Sequence, residues 1–196
     1  TVAATTGGEA NFTALSIDSA GTGYELTFRA SGLVSVTTSR WNVVPAPPSR
    51  LVFGTQPVNT TAGLVMTPAV TVLLRDSLGN TAAASDLVTL ALAGPGVSAG
   101  GALLGTTAVN ATSGVATFSN LRIRKAAAGY TLTATSGTLP AAVSASFDIT
   151  PGLPFRLAFS QQPTDAVASV AFSPDVSVAV LDSTDNLVTG ATTSIT

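Results

Sequence analysis

The side chains most suited to chemistry in this chain are two small groups of oxygen donors. Asp76 and Asn80 form the first group, and Asp182, Asp185 and Asn186 form the second. Calcium accepts such ligands, but it takes about six to eight oxygens and neither group supplies that many. Neither group has the dense aspartate spacing of a strong calcium loop. We therefore expect turns in which the aspartate accepts backbone N–H bonds, with a calcium site as the alternative.

One position of these turns needs an unusual backbone conformation. Gly79 occupies it in the first turn, and Asp185 occupies it in the second. Glycine adopts a positive φ without strain, and aspartate tolerates it better than most residues do. We predict a left-handed backbone conformation at both positions.

Few residues in the chain could support catalysis. It contains no histidine and no cysteine, which removes the usual general base, thiol nucleophiles, thiolate metal sites and disulfides. Lys125 is the only lysine, and its counterpart in the repeat described below is Ser19, which argues against an isopeptide bond from this position. We predict no catalytic residue, no metal, no cofactor and no enzyme activity.

Composition also excludes two classes of partner. Charged residues make up 9% of the chain and the formal net charge is −2, so a basic surface for nucleic acid is not expected. No apolar run approaches the ~20 residues of a membrane-spanning helix, which argues against membrane insertion. The opening TVAATTGGEA lacks the basic and apolar regions of a signal peptide, so we expect a mature or internal segment.

The chain contains an internal repeat. Residues 1–80 match residues 107–186 in register and without a gap, at a spacing of 106. Tyr24, for example, corresponds to Tyr130. A fixed period of this kind indicates one structural unit that is used repeatedly.

Proline-rich stretches mark the boundaries of this unit. Residues 45–50 and 151–156 occupy equivalent positions, and their prolines make such linkers short and semi-rigid. We predict a C-terminal part-unit at 1–45, a complete unit at 50–150 and an N-terminal part-unit at 154–196. Each part-unit alone would expose an apolar face and an unpaired strand edge, which favours association.

Alternation of apolar and polar residues dominates the complete unit and is typical of β-strands. In AVTVLLRD, for example, Val70, Val72 and Leu74 share one face. Seven short strands separated by turn residues indicate an all-β sandwich. We place them near 51–56, 69–76, 87–93, 102–108, 115–123, 129–135 and 143–150. The predicted core consists of Val70, Val72, Val88, Leu90, Phe118, Leu121, Tyr130, Leu132 and Phe147.

Three sequons for N-glycosylation occur, at Asn11, Asn59 and Asn110. A chain this rich in threonine produces such matches by chance. Asn59 and Asn110 are predicted to lie in loops and are the better candidate acceptors.

The order of these motifs resembles that of bacterial immunoglobulin-like repeats in large surface proteins, including invasin- and intimin-type adhesins. The resemblance is carried by LVFGTQP, the alternation into DSLGN, then GVATFSNL and GYTL. It implies tandem Ig-like antiparallel β-sandwiches, here one complete unit flanked by two part-units. It also implies a spacer or adhesive module outside the cell, without a catalytic site.

Two aromatic positions fit this resemblance. Tyr24 and Tyr130 each follow a glycine at the start of the sixth strand, as in the tyrosine corner of Ig sandwiches, whose hydroxyl donates a hydrogen bond to nearby backbone. Trp41 occupies the position of Phe147 and is predicted to be a core residue.

The function expected from these observations is structural. The chain would form a stalk, filament or adhesin shaft at the bacterial surface, with neighbouring copies or repeats of the same protein as partners. Its part-units would complete one another, either within a longer repeat protein or head-to-tail between copies. The alternative is an adhesive module that binds a glycan or a host protein.

Overall fold

Short β-strands make up almost all of the regular structure in this computed structural model, which describes residues 3–196. Residues 3–45 contain β1 (Thr5–Thr6), β2 (Glu9–Ala10), β3 (Gly21–Tyr24), β4 (Thr27–Phe28), β5 (Val36–Thr37) and β6 (Trp41–Val43). Residues 50–150 contain β7 (Arg50–Thr55), β8 (Thr60–Thr61), β9 (Val70–Arg75), β10 (Leu87–Ala93), a helical turn α1 (Pro95–Ser98), β11 (Leu103–Leu104), β12 (Ala108–Asn110), β13 (Val115–Phe118), β14 (Arg122–Ile123), β15 (Ala127–Thr135), β16 (Ala142–Val143) and β17 (Phe147–Thr150). Residues 154–196 contain β18 (Arg156–Gln161) and β19 (Ser177–Leu181). The prediction of an all-β chain is confirmed.

Two sheets share the apolar core of residues 50–150. The smaller sheet is antiparallel, in the order β13-β9-β7. The larger sheet runs β12-β10-β15-β17-β8, with β16 paired to β15. Its pairs are antiparallel except for β8 and β17, which are parallel. Side chains from both sheets meet in a single buried cluster.

The alternating pattern of β9 shows how the sequence builds this core. Val70, Val72 and Leu74 are fully buried, while the residues between them are only partly buried. Burying each such side chain stabilises the fold by about 1.5–3 kcal/mol relative to leaving it exposed. All nine residues predicted for the core belong to the cluster, so that prediction is confirmed.

Strand boundaries differ from the prediction where the chain changes sheet. The strand predicted at 115–123 is two strands, because β13 pairs with β9 whereas β14 pairs with β11. Asn120 holds the corner between them: its Oδ1 accepts the N–H of Thr106 at 2.8 Å, and its Nδ2 donates to the Thr106 hydroxyl at 3.0 Å. The strand predicted at 102–108 is divided in the same way, because β11 pairs with β14 whereas β12 pairs with β10. The strand predicted at 143–150 is also two strands, β16 and β17, but both pair with β15. The sequence analysis missed β8 and α1.

The turn α1 lies against the hydroxyl end of Tyr130. A Cβ at Gly96 would overlap the hydroxyl oxygen of Tyr130, and one at Gly101 would lie 2.6 Å from it. Glycine at these positions lets the backbone approach the tyrosine ring. Burial also raises the pKa of Tyr130.

Among the described residues, 3–45 and 154–196 contain only two-stranded sheets. Residues 3–45 contain the pairs β1-β2, β3-β6 and β4-β5, and residues 154–196 contain β18-β19. Residues 1 and 2 of the predicted first part-unit lie outside the described residues.

Apolar side chains in residues 3–45 and 154–196 are more exposed than their equivalents in residues 50–150. Phe159 is 55% exposed, whereas its equivalent Phe53 is 7% exposed. The prediction that Trp41 is a core residue is wrong: it is 37% exposed, whereas its equivalent Phe147 is 2% exposed. Trp41 packs on Tyr24 with ring centroids 5.7 Å apart. The smaller sheet that shares the core with Phe147 has no counterpart in residues 3–45, so the rest of the indole is left uncovered.

None of the helices that the structure describes is long and apolar enough to cross a membrane.

Candidate functional site

The aspartate of each candidate turn first organises its own loop. Oδ1 of Asp76 accepts the N–H groups of Leu78 at 3.0 Å and Asn80 at 2.8 Å. Oδ1 of Asp182 accepts the equivalent N–H groups of Thr184 at 2.7 Å and Asn186 at 2.9 Å. A short acidic side chain directly after a strand favours this local arrangement. The expected turn is therefore present in both copies.

The backbone prediction for these turns is confirmed. Gly79 has φ +92° and Asp185 has φ +66°, so both lie in the left-handed region. Arg156 donates to Asp185 at 2.8 Å and closes the second turn from outside.

The second carboxylate oxygen reaches out of the turn to the preceding linker. Oδ2 of Asp76 accepts the N–H of Ala46 at 3.1 Å. Oδ2 of Asp182 accepts the N–H of Gly152 at 2.8 Å. Ala46 and Gly152 occupy equivalent positions in the two proline-rich linkers, so each aspartate ties its own repeat to the linker that enters it.

The asparagine of each turn also binds the preceding repeat. Oδ1 of Asn80 accepts the N–H of Ala20 at 2.9 Å, and its Nδ2 donates to the carbonyl of Asp18 at 2.8 Å. Asn186 repeats this pattern with the N–H of Ala126 at 2.8 Å and the carbonyl of Arg124 at 2.7 Å. An amide side chain has one acceptor and one donor side, so it satisfies a backbone N–H and a C=O together.

The segment that the asparagine binds is also held by a tyrosine of its own repeat. We call residues 18–20 and 124–126 the corner segments. The hydroxyl of Tyr24 donates to the carbonyl of Ser19 at 2.9 Å, and that of Tyr130 donates to the carbonyl of Lys125 at 3.0 Å. The tyrosine hydrogen bond expected from the sequence is thus present in both copies. Each corner segment is fixed by its own tyrosine and by the asparagine of the next repeat.

The carboxylates of both junctions are buried and ionised, whereas Asn80 of the first junction is only partly buried. Asp76 and Asp182 are each 1% exposed, and Asn186 is 3% exposed. The hydrogen bond from the Asn80 side chain, together with backbone N–H donors, lowers the pKa of Asp76 despite its burial. Burial opposes ionisation of Asp182, but N–H groups of Asn186, Gly152 and Thr184 outweigh it and hold the pKa well below its usual range. Hydrogen bonds to a carboxylate favour its charged form.

These same bonds argue against calcium at the turns. The oxygens of Asp76 and Asp182 already accept N–H groups, and a cation would have to displace them. Asn80 uses its oxygen to accept from Ala20, and Asp185 pairs with Arg156. Within residues 3–196, no group of three or more histidine, cysteine, aspartate or glutamate side chains is arranged to hold a metal ion. The geometry favours the turn interpretation over the calcium alternative.

The candidate glycosylation sites lie apart from these junctions. Asn59 is exposed in the loop between β7 and β8, and its Oδ1 accepts the N–H of Asp148 at 2.8 Å. The prediction that Asn110 lies in a loop is wrong, because it is the last residue of β12. β12 is the edge strand of the larger sheet, and its pairing with β10 continues to Asn110, which lies opposite Leu87. Asn11 is exposed directly after β2.

Sequence reasoning missed the partners of these turns. It assigned the aspartates to local turns and gave Asn80 and Asn186 no role outside them. One signal was available: aspartate and asparagine are identical in the two copies, while two of the three residues between them change, from Leu78 and Gly79 to threonine and aspartate.

Comparison with known proteins identifies no family. No family model matches the chain, and no curated protein matches it. Among solved structures, it is similar to a Parabacteroides merdae beta-glucuronidase with glycerol in the active site, at 18% identity and a TM-score of 0.39 over 59% of this chain. A second structure of that beta-glucuronidase is similar at 21% identity and a TM-score of 0.34 over 56% of this chain. Both matches span 14% of the length of the beta-glucuronidase chain.

Proposed function

We propose that the protein is the structural repeat region of an extracellular bacterial surface protein. In this proposal, tandem Ig-like β-sandwich units form a stalk, filament or adhesin shaft. The observation that carries it is the pair of junctions. At a spacing of 106 residues, the same aspartate and the same asparagine make equivalent hydrogen bonds to the preceding repeat.

A shaft needs joints that resist bending, and two features of the junctions support this role. Each turn binds its predecessor at both the linker and the corner segment, so bending about the linker would break bonds at the corner. The aspartates of the junctions are also buried and ionised, and hydrogen bonds to charged groups are stronger than neutral ones.

The organisation of residues 50–150 supports the Ig-like assignment. Two largely antiparallel sheets share one apolar core, as the sheets of a β-sandwich do. The hydroxyl of Tyr130 bonds to backbone five residues upstream, in the manner of a tyrosine corner. We accordingly assign part-units to 1–45 and 154–196 and a complete unit to 50–150.

The exposed apolar faces of the part-units support association with further repeats. Leu157 and Phe159 are about half exposed, yet their equivalents Leu51 and Phe53 are buried in the complete unit. Complementary strands of a neighbouring repeat would cover them, either in the same chain or in a neighbouring copy. Covering such a face removes apolar surface from water and pairs a free strand edge.

The alternative, a module that binds a glycan, has less support in the complete unit. All four of its aromatic residues, Phe53, Phe118, Tyr130 and Phe147, are buried. A sugar-binding platform requires an exposed ring, and this unit presents none.

Two measurements test the proposed function. Small-angle X-ray scattering of the purified chain should give an elongated particle, and an antiserum against residues 50–150 should label intact cells of the producing bacterium. Brief protease treatment of those cells should remove the label. Labelling that appears only after the cells are permeabilised would contradict an extracellular role.

A further inference from the structure

We infer that each Asp–Asn turn is a binding site, here called a socket, for the main chain of the preceding repeat. The socket holds two consecutive units in one orientation. It does so whatever side chains the preceding repeat carries at the contact. The first socket consists of Asp76 and Asn80, and the second consists of Asp182 and Asn186. The inference rests on the proposed function of a repeat shaft and specifies how its units are joined.

Main-chain recognition follows from the atoms that the sockets contact. Every partner atom on the preceding repeat is a backbone N–H or C=O, in the linker or in the corner segment. The first socket binds the carbonyl of an acidic residue, Asp18, and the second binds that of a basic residue, Arg124. The two distances are 2.8 and 2.7 Å despite this reversal of charge. The socket therefore does not depend on the side chain at this position.

The corner segment is suited to be the ligand of the socket. The tyrosine hydroxyl bonds to its middle carbonyl, which leaves the first carbonyl and the last N–H for the asparagine of the next repeat. The tyrosine thus pre-organises the segment, and pre-organised groups lose less entropy on binding. At the second junction the backbone of Gly63 also lies close to the second turn, since a Cβ at Gly63 would be 3.1 Å from Cγ2 of Thr184.

The two oxygens of the aspartate have separate roles, which allows a sharp test. In an Asp76→Asn variant, the amide oxygen can still accept the two N–H groups of the turn. Its NH₂ would then face the N–H of Ala46 and Nδ2 of Asn80, so the bonds to the linker and to the Asn80 side chain are lost while the two backbone bonds of the turn are retained. An Asn80→Asp variant retains the acceptor for Ala20, loses the donor to Asp18 and places a second carboxylate beside Asp76.

Two control variants complete the set. Asn120→Asp makes the same chemical change at an amide that binds Thr106 inside the unit. Asp18→Arg gives the first junction the side chain found at the second and leaves the backbone intact.

The orientation of the units is measured on the full chain by double electron–electron resonance. The chain contains no cysteine, so Thr22→Cys and Thr89→Cys place one spin label on β3 and one on β10, both at exposed positions. We expect one narrow distance distribution in the parent, in Asn120→Asp and in Asp18→Arg. We expect Asp76→Asn and Asn80→Asp to lose the narrow peak.

A second pair of labels tests the second junction with a variant that leaves residues 50–150 folded. Asp182 lies outside the complete unit, so Asp182→Asn should not unfold residues 50–150. With labels at Thr89→Cys and Ser177→Cys, this variant should broaden the distribution while the thermal unfolding of residues 50–150 is unchanged.

Narrow distributions in all three socket variants would overturn the inference, and so would equal broadening by Asp18→Arg. If the chain is elongated and labelled on intact cells but the socket variants have no effect, the socket fails and the proposed function stands. If the socket variants behave as expected but intact cells are not labelled, the proposed function fails and the socket stands.

Discussion

The amide nitrogen of Asn186 lies 2.7 Å from the carbonyl oxygen of Arg124, a residue 62 positions earlier in the chain. Asn80 and Asp18 make the same contact at 2.8 Å over the same separation of 62 positions. A turn residue of one repeat therefore binds the backbone of the repeat before it, and it does so twice.

Removing divalent metal should leave the protein unchanged. The oxygens of Asp76 and Asp182 accept N–H groups, so bound calcium would have to break those bonds. The melting temperature with excess chelator should equal that with millimolar calcium. A rise of several degrees with calcium would show that these aspartates are ligands.

Lowering the pH should weaken the hydrogen bonds of the junctions, but only in strongly acidic solution. The pKa of Asp76 and that of Asp182 are lowered below the ordinary value of 3.8, so their contribution is complete above that pH. It is lost as the pH falls through the native pKa, where the proton displaces an N–H donor. Charged residues beside the sockets include Asp18, Arg50 and Arg75 at the first and Arg124, Arg156 and Asp185 at the second.

A pH series of the spin-label measurement checks this expectation. The distance distribution should be constant between about pH 8 and pH 5 and should broaden only below about pH 3.8, increasingly as the pH falls toward the lowered native pKa of the two aspartates. Broadening between pH 7 and pH 5 would assign the effect to a group other than the two aspartates.

Phe118→Ala should strongly destabilise the complete unit. The ring is 1% exposed in the core cluster, and removing a buried phenylalanine side chain costs about 3–5 kcal/mol. The control, Val143→Ala, changes a residue that is 62% exposed and should alter stability by about 0.5 kcal/mol or less. Trp41 lies outside this unit, so unfolding should be followed by hydrogen exchange of the β9 and β10 amides instead of by tryptophan fluorescence.

Gly96→Ala should destabilise the same unit by overpacking. The added Cβ would overlap the hydroxyl oxygen of Tyr130 and force α1 or the ring to shift, at a cost of about 1–3 kcal/mol. Gly100→Ala is the control for adding a methyl group without a clash, since no atom lies within 4 Å of a Cβ there. Its φ of +90° adds a backbone penalty of its own, which makes the control less direct. The added Cβ would also overlap Cζ of the Tyr130 ring, so a Tyr130→Leu background, which removes both the hydroxyl and the far end of the ring, should shrink the penalty for Gly96→Ala. An unchanged penalty would place the strain elsewhere.

If neighbouring copies complete one another, two introduced cysteines should cross-link different chains. In the complete unit Thr117 of β13 pairs with Thr71 of β9, and their equivalents in the part-units are Asn11 and Ser177. Oxidised Asn11→Cys/Ser177→Cys protein should give a ladder of covalent multimers. Thr71→Cys/Thr117→Cys is the matched control and should cross-link within one chain. A double variant that remains a monomer at high concentration would exclude association between copies through this pair of strands.

Local rules carried much of the prediction of this fold. The alternation in β9 identified the buried face, and the turn chemistry identified the left-handed conformation of Gly79 and Asp185. The spacing of 106 residues predicts that Tyr24 and Tyr130 are equivalent, and their hydroxyls make equivalent hydrogen bonds. Side-chain periodicity, turn propensity and repetition depend on near neighbours in the chain, so they can be read from the sequence.

Other features were decided only by tertiary structure. Trp41 has an apolar side chain at a core position, but its burial depends on a facing sheet that residues 3–45 do not supply. The division of residues 115–123 into two strands depends on which sheet each half joins. Asn80 looks like an ordinary turn residue until the corner segment of the preceding repeat is placed beside it. Hydrogen bonds between residues 62 positions apart depend on how two repeats are oriented, and no local pattern of residues records that orientation.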